Sequence, residues 1–163
     1  MTAEDGDIRF RISDIRLDDR LVVRRSAEVE HEMAVAIYDL LESNHFEPEG
    51  LPPGPYRVCL AVRDGRSLVF AIGDEKDRPL GEVTMPIKSF RRIVKDYFTV
   101  CESYFEAIKN APPSRIEALD MGRRSLHDEG AALMRETLDK RVTIDIETSR
   151  RLFTLLCVLH IRS

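Results

Sequence analysis

The amino-acid sequence predicts an α+β protein with a mostly antiparallel sheet of four to five strands and about four helices. Apolar residues recur at every second position in some segments and at every third or fourth position in others. The resulting order, β-α-β-β-β-α-α-β-α, lacks the regular strand-helix alternation of a parallel sheet. The length of 163 residues, of which 43% are hydrophobic, suits a single domain over residues 1–163.

The first third of the chain predicts one strand followed by one helix. Residues 8–12 alternate between apolar and polar side chains, as in a half-buried strand, and a continuation to residue 17 is left open. Ser26 is placed to cap a helix that ends near Ser43, because its hydroxyl can accept a hydrogen bond from the first turn. Residues 44–55 contain four prolines and two glycines, so we expect a loop there.

The middle of the chain predicts a three-stranded meander. Residues 56–62 and 68–72 flank Asp64 and Gly65, a pair that tolerates the positive φ angles of a tight hairpin turn. A second turn over 73–79 leads to the third strand of the meander, over 81–87.

Two helices follow the meander. Apolar residues at helical spacing predict the first of them over 90–111. Ser114 and Glu117 form an S-x-x-E pattern, in which each side chain can bond the backbone amide at the other end. The next helix is therefore expected to begin at Ser114 and to extend to about residue 138.

The end of the chain predicts a short strand and a buried helix. Residues 141–145 suit a strand, and Asp145 is placed to cap the helix that follows. This helix is apolar on almost all sides, so we expect it to lie at the centre of the protein.

Charge and composition exclude several classes of function. Residues 1–50 carry a net charge of −7 and the remainder +3, which argues against nucleic-acid binding by the first third. The longest nearly apolar run, 152–161, is shorter than the roughly 20 residues that span a bilayer, and the acidic start is unlike an export signal. We therefore expect a cytoplasmic protein with no membrane association. Three widely spaced cysteines are expected to be buried free thiols: Cys59, Cys101 and Cys157.

The sequence contains no phosphate-binding loop, dinucleotide fingerprint, nucleophile elbow, zinc-protease motif or EF-hand loop. No cofactor is therefore predicted. His31 lies between two glutamates on the first predicted helix, but a zinc site would need a second ligand four residues later, where Val35 stands. We predict no metal site.

The helix around residues 115–138 contains the sequence's main irregularities. Asp120, Arg124 and His127 stand at i, i+4 and i+7 and so share one face. Arg123 falls in a row of otherwise apolar or small residues, where a buried charge must be paired or face a cavity. Gly122 and Gly130 also lie inside the helix: each costs about 1 kcal/mol relative to alanine, which indicates a close approach or a bend.

This cluster has two interpretations. In the first, Arg123 and Arg124 bind an anion and His127 transfers protons, oriented by Asp120 or Glu129. In the second, the same residues form a buried ion-pair network that joins the helix to the sheet or to another subunit.

A second basic cluster comprises Arg91, Arg92 and Lys95 together with Arg150 and Arg151. These residues would form a patch if their helices lay side by side. Most charge runs are solvated helix faces, and the chain has a net charge of −4, so the sequence argues against a nucleic-acid partner.

Several segments resemble those of a known family: Glu30-His31-Glu32, Ala36–Leu40, Phe90–Phe98, Cys101–Tyr104, Asp120–Arg124, Leu126-His127, Glu129-Gly130 and Arg150–His160. Together they resemble a family of short alphaproteobacterial proteins that is described only as uncharacterised. The resemblance implies a bacterial cytoplasmic protein and supplies no activity, cofactor or catalytic residue.

Two hypotheses of function follow from the sequence. The leading hypothesis is a non-catalytic interaction or regulatory protein that binds a protein partner or forms a homodimer, because the sequence contains none of these catalytic or cofactor-binding motifs. The alternative is a small enzyme or binding protein for an anionic small molecule, with its Arg/His site on the helix over 115–138.

Overall fold

The computed structural model describes residues 7–18 and 26–160, and it confirms the predicted α+β class. The strands are β1 (Ile12–Leu17), β2 (Phe46–Pro48), β3 (Tyr56–Arg63), β4 (Ser67–Gly73), β5 (Pro79–Pro86) and β6 (Val142–Ile144). The helices are α1 (Ala27–Glu42), α2 (Arg91–Asn110), α3 (Pro113–Leu138) and α4 (Ile146–His160).

Strands β1, β3, β4 and β5 form one sheet in the order β1-β3-β4-β5. The β3-β4 and β4-β5 pairs are antiparallel, as expected of the meander, and the turn between β3 and β4 has positive φ at both Asp64 and Gly65. The β1-β3 pair is parallel. The reason is that α1 connects the two strands and returns the chain to the same end of the sheet.

A separate two-stranded sheet pairs β2 with β6 in antiparallel register. The β2 strand lies inside the segment 44–55, which the sequence predicted to be a loop, and that part of the prediction is wrong. A three-residue strand has too few positions to show an alternating pattern. Its backbone partner, β6, lies almost one hundred residues further along the chain, so no local signal could reveal the pairing.

Two predicted element boundaries are corrected by the structure. Ile8–Phe10 is a turn of 3₁₀ helix rather than the start of β1, because the Asp7 carboxylate accepts the Arg9 amide at 3.0 Å. Helix α3 begins at Pro113, and no side chain caps it, so the S-x-x-E pattern from Ser114 lies inside the helix. Proline favours the first helical turn, where no intrahelical partner for its nitrogen is needed.

The other two predicted caps are present. The Ser26 hydroxyl accepts the Val29 amide at 3.2 Å, and Asp145 accepts the Thr148 amide at 2.9 Å. Both bonds satisfy amides that the first turn of a helix leaves without a partner.

The helices cover one face of the larger sheet and form the core with it. Register places Val58 opposite Ile72 and Leu60 opposite Phe70, and all four side chains are buried. Helix α4 is central, as its sequence predicted, and packs against α1, α3 and β3. Its buried residues are Thr148, Ser149, Leu152, Phe153, Leu155, Leu156, Cys157, Val158 and Leu159.

Candidate functional site

Helix α3 packs closely against α4 at Gly130. A Cβ atom at this position would lie 2.2 Å from Cζ of Phe153, whose ring is fully buried. Gly130 is therefore required by the close approach that the sequence predicted. Gly122 is different, because a Cβ there would meet only Val100, at an ordinary distance of 3.9 Å.

This close approach places His127 against α2 and α4. The ring centroid of His127 lies 5.5 Å from that of Tyr97 and 5.3 Å from that of Phe153. Its Nε2 atom lies 2.7 Å from Oγ1 of Thr154, whose hydroxyl also lies 3.2 Å from the carbonyl oxygen of Arg150. If the threonine donates to that carbonyl, the imidazole donates to the threonine through Nε2.

The electrostatic environment of His127 keeps the imidazole neutral. Burial, together with the positive charge of Arg150, lowers its pKa from 6.5 to about 4. A general acid-base works best when its pKa is near the working pH. His127 is therefore better suited to hydrogen bonding than to proton transfer at neutral pH.

Arg123 is partly buried and contacts both aromatic and acidic side chains. Its Nη2 atom donates to Asp120 at 2.6 Å, and its Nη1 atom lies 3.8 Å from Glu32 on α1. The guanidinium carbon lies 4.6 Å from the centroid of the Tyr104 ring, in a cation-π contact. The sequence predicted that a charge in this row must be paired or face a cavity, and Arg123 does both.

Of the remaining residues predicted for the site, Asp120 and Arg124 lie beside Arg123, whereas Glu129 does not. Arg124 shares Asp120 with Arg123, through an Nε to Oδ2 distance of 3.1 Å. The hydrogen bond from Arg123 holds the pKa of Asp120 below its usual value, against the opposing effect of desolvation. Glu129 is directed elsewhere, 3.8 Å from Arg92 on α2. Thr154, rather than Asp120 or Glu129, is the hydrogen-bond partner of His127.

A recess of about 430 Å³ brings three of the predicted residues together: Arg123, Arg124 and His127. Arg150 of α4 lies opposite them, and the remaining lining residues are Tyr97 and Asp128. Three guanidinium groups thus face one lining carboxylate, and Asp128 itself lies 3.1 Å from Nη1 of Arg150. We call this feature the arginine recess.

Two atoms at the arginine recess have unused hydrogen-bonding capacity. The Nε atoms of Arg123 and Arg150 are buried and have no hydrogen-bond acceptor among the described residues. Glu147 lies 3.5 Å from Nε of Arg150, within ion-pair distance but without the geometry of a hydrogen bond. A buried donor without an acceptor is costly, so each side chain would be stabilised by a shift that brings its Nε–H to an oxygen of a ligand bound in the recess.

A second cavity, of about 520 Å³, lies between α1 and α3 and shares Tyr97, Arg123 and His127 with the recess. Its floor includes Arg151 and Thr154 of α4. We call it the α1 cleft. Tyr97, Arg123 and His127 therefore separate two cavities of different composition.

The sequence did not predict Glu32, Thr154 or the placement of Arg150 at this site. Glu32 and Thr154 are ordinary residues for exposed helix positions, and no local pattern distinguishes them. Their roles arise from contacts between α3 and two other helices, which only the folded chain brings together.

The predicted basic patch is divided by carboxylates. Arg92 lies 3.8 Å from Glu129, Arg150 lies 3.1 Å from Asp128, and Arg151 lies 3.9 Å from Asp39. Helix α3 packs against both α2 and α4 and supplies two of these carboxylates. The charges are therefore locally neutralised rather than gathered into one surface.

Cys101 and Cys157 are free thiols and are buried, as predicted. Burial raises the pKa of Cys101 to about 11 and also raises that of Cys157, so neither is a reactive thiolate at neutral pH. Cys59 is only half-buried, because it faces outward from β3.

The described residues contain neither a metal-binding cluster nor a membrane-spanning helix. Within 7–18 and 26–160, no group of three or more histidine, cysteine or acidic side chains is arranged to hold a metal ion. No helix in that part of the chain has the length and apolar character needed to cross a membrane.

The fold and the recess together define an α+β protein with an arginine-lined site between packed helices. Comparison with known sequences identifies the family: the chain belongs to the uncharacterised protein family UPF0262, whose profile matches residues 9–162. The resemblance seen in the sequence is thereby confirmed.

Relatives in this family cover nearly the whole chain. A UPF0262 protein of Paramagnetospirillum magneticum is 54% identical over 154 residues, which are 94% of this chain and 98% of the relative. One of Rhodospirillum rubrum is 52% identical over 161 residues, covering 98% and 99%. One of Rhizobium etli is 51% identical over 153 residues, covering 94% and 96%. No solved structure matches the chain.

Proposed function

We propose that this protein is a non-catalytic regulatory protein that binds a small, multiply charged anion in the arginine recess. One observation carries the proposal: three arginines of α3 and α4 line one recess, and two of them have a buried Nε without an acceptor among the residues that the structure describes. Guanidinium groups bind phosphate and carboxylate groups through pairs of parallel hydrogen bonds.

The size and charge of the recess favour a small anion. Its volume of about 430 Å³ lies within the usual range for small-molecule sites. Three arginines and one aspartate line the recess, and Asp120 and Glu147 also pair with these arginines from outside the lining, so an anion would bind through the guanidinium donors that those ion pairs leave unused. The probes of choice are therefore inorganic pyrophosphate and citrate.

Binding without catalysis is favoured by the state of His127. Its imidazole is neutral at pH 7, its Nε2 atom is engaged with Thr154, and the carboxylates predicted to orient it are directed elsewhere. A neutral imidazole can still hydrogen-bond a bound anion. The enzymatic alternative would require proton transfer from a group whose pKa is about 4.

The test compares two exposed arginines. Arg124→Gln removes a charge from the recess, whereas Arg92→Gln removes an equally exposed charge beside Glu129, outside the recess. Calorimetry at constant ionic strength should show about tenfold weaker pyrophosphate binding for Arg124→Gln, equivalent to about 1.4 kcal/mol, and less than a twofold change for Arg92→Gln. Equal losses in both variants would show nonspecific attraction and would overturn the proposal.

Self-association is a second candidate, favoured by two exposed apolar side chains on α1. Tyr38 is 66% exposed and Val35 is 43% exposed, and they lie three residues apart on one side of the helix. Light scattering should give the mass of a dimer for the natural chain and of a monomer for Tyr38→Ser. A monomeric natural chain at all concentrations would eliminate this candidate.

A cytoplasmic location belongs to the same proposal. The unpaired, buried state of Cys101 and Cys157 supports it, since thiols are kept reduced in that compartment.

A further inference from the structure

The α1 cleft differs in chemistry from the arginine recess. Its apolar lining includes Val35, Ala36 and Phe105, with Tyr97 forming part of the wall. Charged residues project into it from α1, and the three acidic ones are Glu28, Glu32 and Asp39. The lining also contains His31, two arginines, His127 and Thr154, so apolar walls and charged groups meet in one cavity of small-molecule size.

Glu32 is a partly buried carboxylate of the cleft whose ion-pair partner among the described residues is not close. Its side chain is only 24% exposed, and Arg123 Nη1, its partner within ion-pair distance, lies 3.8 Å away, beyond hydrogen-bond length. That guanidinium instead donates to Asp120 at 2.6 Å. Burial raises the pKa of Glu32, as expected of a carboxylate whose charge is incompletely balanced.

Neither of the two arginines of the cleft gives Glu32 a close partner. Arg123 is shared between Glu32 and Asp120, and Asp120 lies outside the cleft lining. Arg151 lies 3.9 Å from Asp39 and 3.7 Å from Glu147, so carboxylates flank it on both sides. Among the described residues, Glu32 therefore has no cation within hydrogen-bond distance, although Arg123 and His31 lie near enough to oppose the rise of its pKa, and an apolar surface lies beside it.

We propose that the α1 cleft binds an organic cation, a primary ammonium group on an apolar body, with the ammonium at Glu32 and the body against Val35 and Phe105. An ammonium would give Glu32 the close partner that Arg123 does not supply, and the apolar body would cover the exposed part of Val35. The aromatic ring of Phe105 would also attract a nearby cation. This site is distinct from the anion site, although Arg123 and His127 border both.

The experiment titrates the full-length protein with three probes of equal length: n-hexylamine, n-hexanol and hexanoate. Chemical shifts of backbone amides in α1 are followed at pH 7 and constant ionic strength. We expect hexylamine to bind most tightly and hexanoate least tightly. Each methylene removed from the amine should weaken binding by about fourfold, the effect of exposing that much apolar surface.

Two glutamate variants test whether Glu32 is the residue that binds the ammonium group. Glu32→Gln should weaken hexylamine binding by about tenfold while leaving hexanol binding unchanged, which also shows that the cleft is intact. Glu30→Gln, an exposed position of the same helix outside the cleft lining, should change binding by less than twofold. Hexanol or hexanoate binding as tightly as hexylamine, or equal effects of the two variants, would overturn the proposal.

Discussion

Three arginines of this protein have a buried Nε atom without an acceptor in the part of the chain that the structure describes, and they lie in two different regions. Arg57 is on the outer face of the sheet, where Asp77 accepts from its Nη1 at 2.9 Å and Asp14 lies 3.7 Å from its Nη2. Arg123 and Arg150 instead both line the recess between α3 and α4.

The difference shows that a buried donor alone does not define a site. Arg57 belongs to a ladder of ion pairs with Asp14, Asp77 and Arg16 on an uncovered sheet face, and Asp77 is 57% exposed. In the recess, guanidinium groups from two helices line one cavity, and their acidic partners are Asp120, Asp128 and Glu147. A cavity lined by three guanidinium groups offers several hydrogen-bond donors to one anion, whereas the ion pairs around Arg57 line no such recess among those described above.

The packing of α3 on α4, which forms the recess, is tested most directly by a larger side chain at Gly130. Gly130→Ala places a methyl group 2.2 Å from a fully buried ring, and neither the ring nor the helix has room to move. We expect a loss of about 3 kcal/mol in the free energy of unfolding, the upper end of the usual overpacking cost. Urea denaturation measures this loss.

Gly122→Ala is the matched control on the same helix. Its new methyl group makes only an ordinary contact with Val100, and alanine favours the helix by up to about 1 kcal/mol. This variant should be as stable as the natural chain or more stable. Similar losses at Gly122 and Gly130 would show that the close packing of α3 on α4 is incorrect.

Acid should destabilise the helical region through His127. The pKa of its imidazole is about 4 in the folded protein and 6.5 when solvent-exposed, so the unfolded chain binds the proton more tightly. Stability is therefore full above pH 6.5 and falls as pH decreases toward 4, by roughly 3 kcal/mol in total. Glu32 acts in the opposite direction, because its raised pKa makes the folded form bind protons more tightly.

The variant His127→Gln separates the contribution of His127 to the pH dependence of stability from that of Glu32. The difference between the unfolding free energies of the natural chain and this variant should decline with falling pH only between about pH 6.5 and pH 4. A difference that is constant across this range would mean that His127 titrates normally in the folded protein.

Replacing one arginine in each region should change stability less than Gly130→Ala or the titration of His127 does. Arg123→Ala leaves Glu32 partly buried without its nearby cation and removes the contact with Tyr104, so we expect a loss of about 2 kcal/mol. Arg57→Ala should cost less than about 1 kcal/mol, because exposed ion pairs contribute little. Thermal unfolding compares the stability of the two variants. An equal loss would show that Arg123 contributes no more to stability than an arginine in exposed ion pairs does.

The sequence predicted much of α3 because the evidence there is local. The row that contains Arg123 repeats with helical spacing, and Gly130 is conspicuous inside a helix. Both features reflect contacts that the structure shows. The helix caps at Ser26 and Asp145 were predictable for the same reason, since a cap bonds an amide only three residues away.

The rest of the site depends on residues that are distant in the chain. Thr154 reaches His127 and Glu32 approaches Arg123 only after three helices have packed together. The predicted cap at Ser114 failed because Pro113 already starts the helix. Strand β2 was missed because its pairing with β6 is set by chain topology rather than by local preference.

The most direct test of the central claim observes the three buried Nε–H groups themselves. In protein labelled with ¹⁵N at arginine, their resonances can be followed while pyrophosphate is added at constant ionic strength. The recess predicts that the Arg123 and Arg150 resonances move together and saturate with one dissociation constant, while that of Arg57 stays in place. Movement of all three in parallel, or of none, would contradict a specific anion site in the arginine recess.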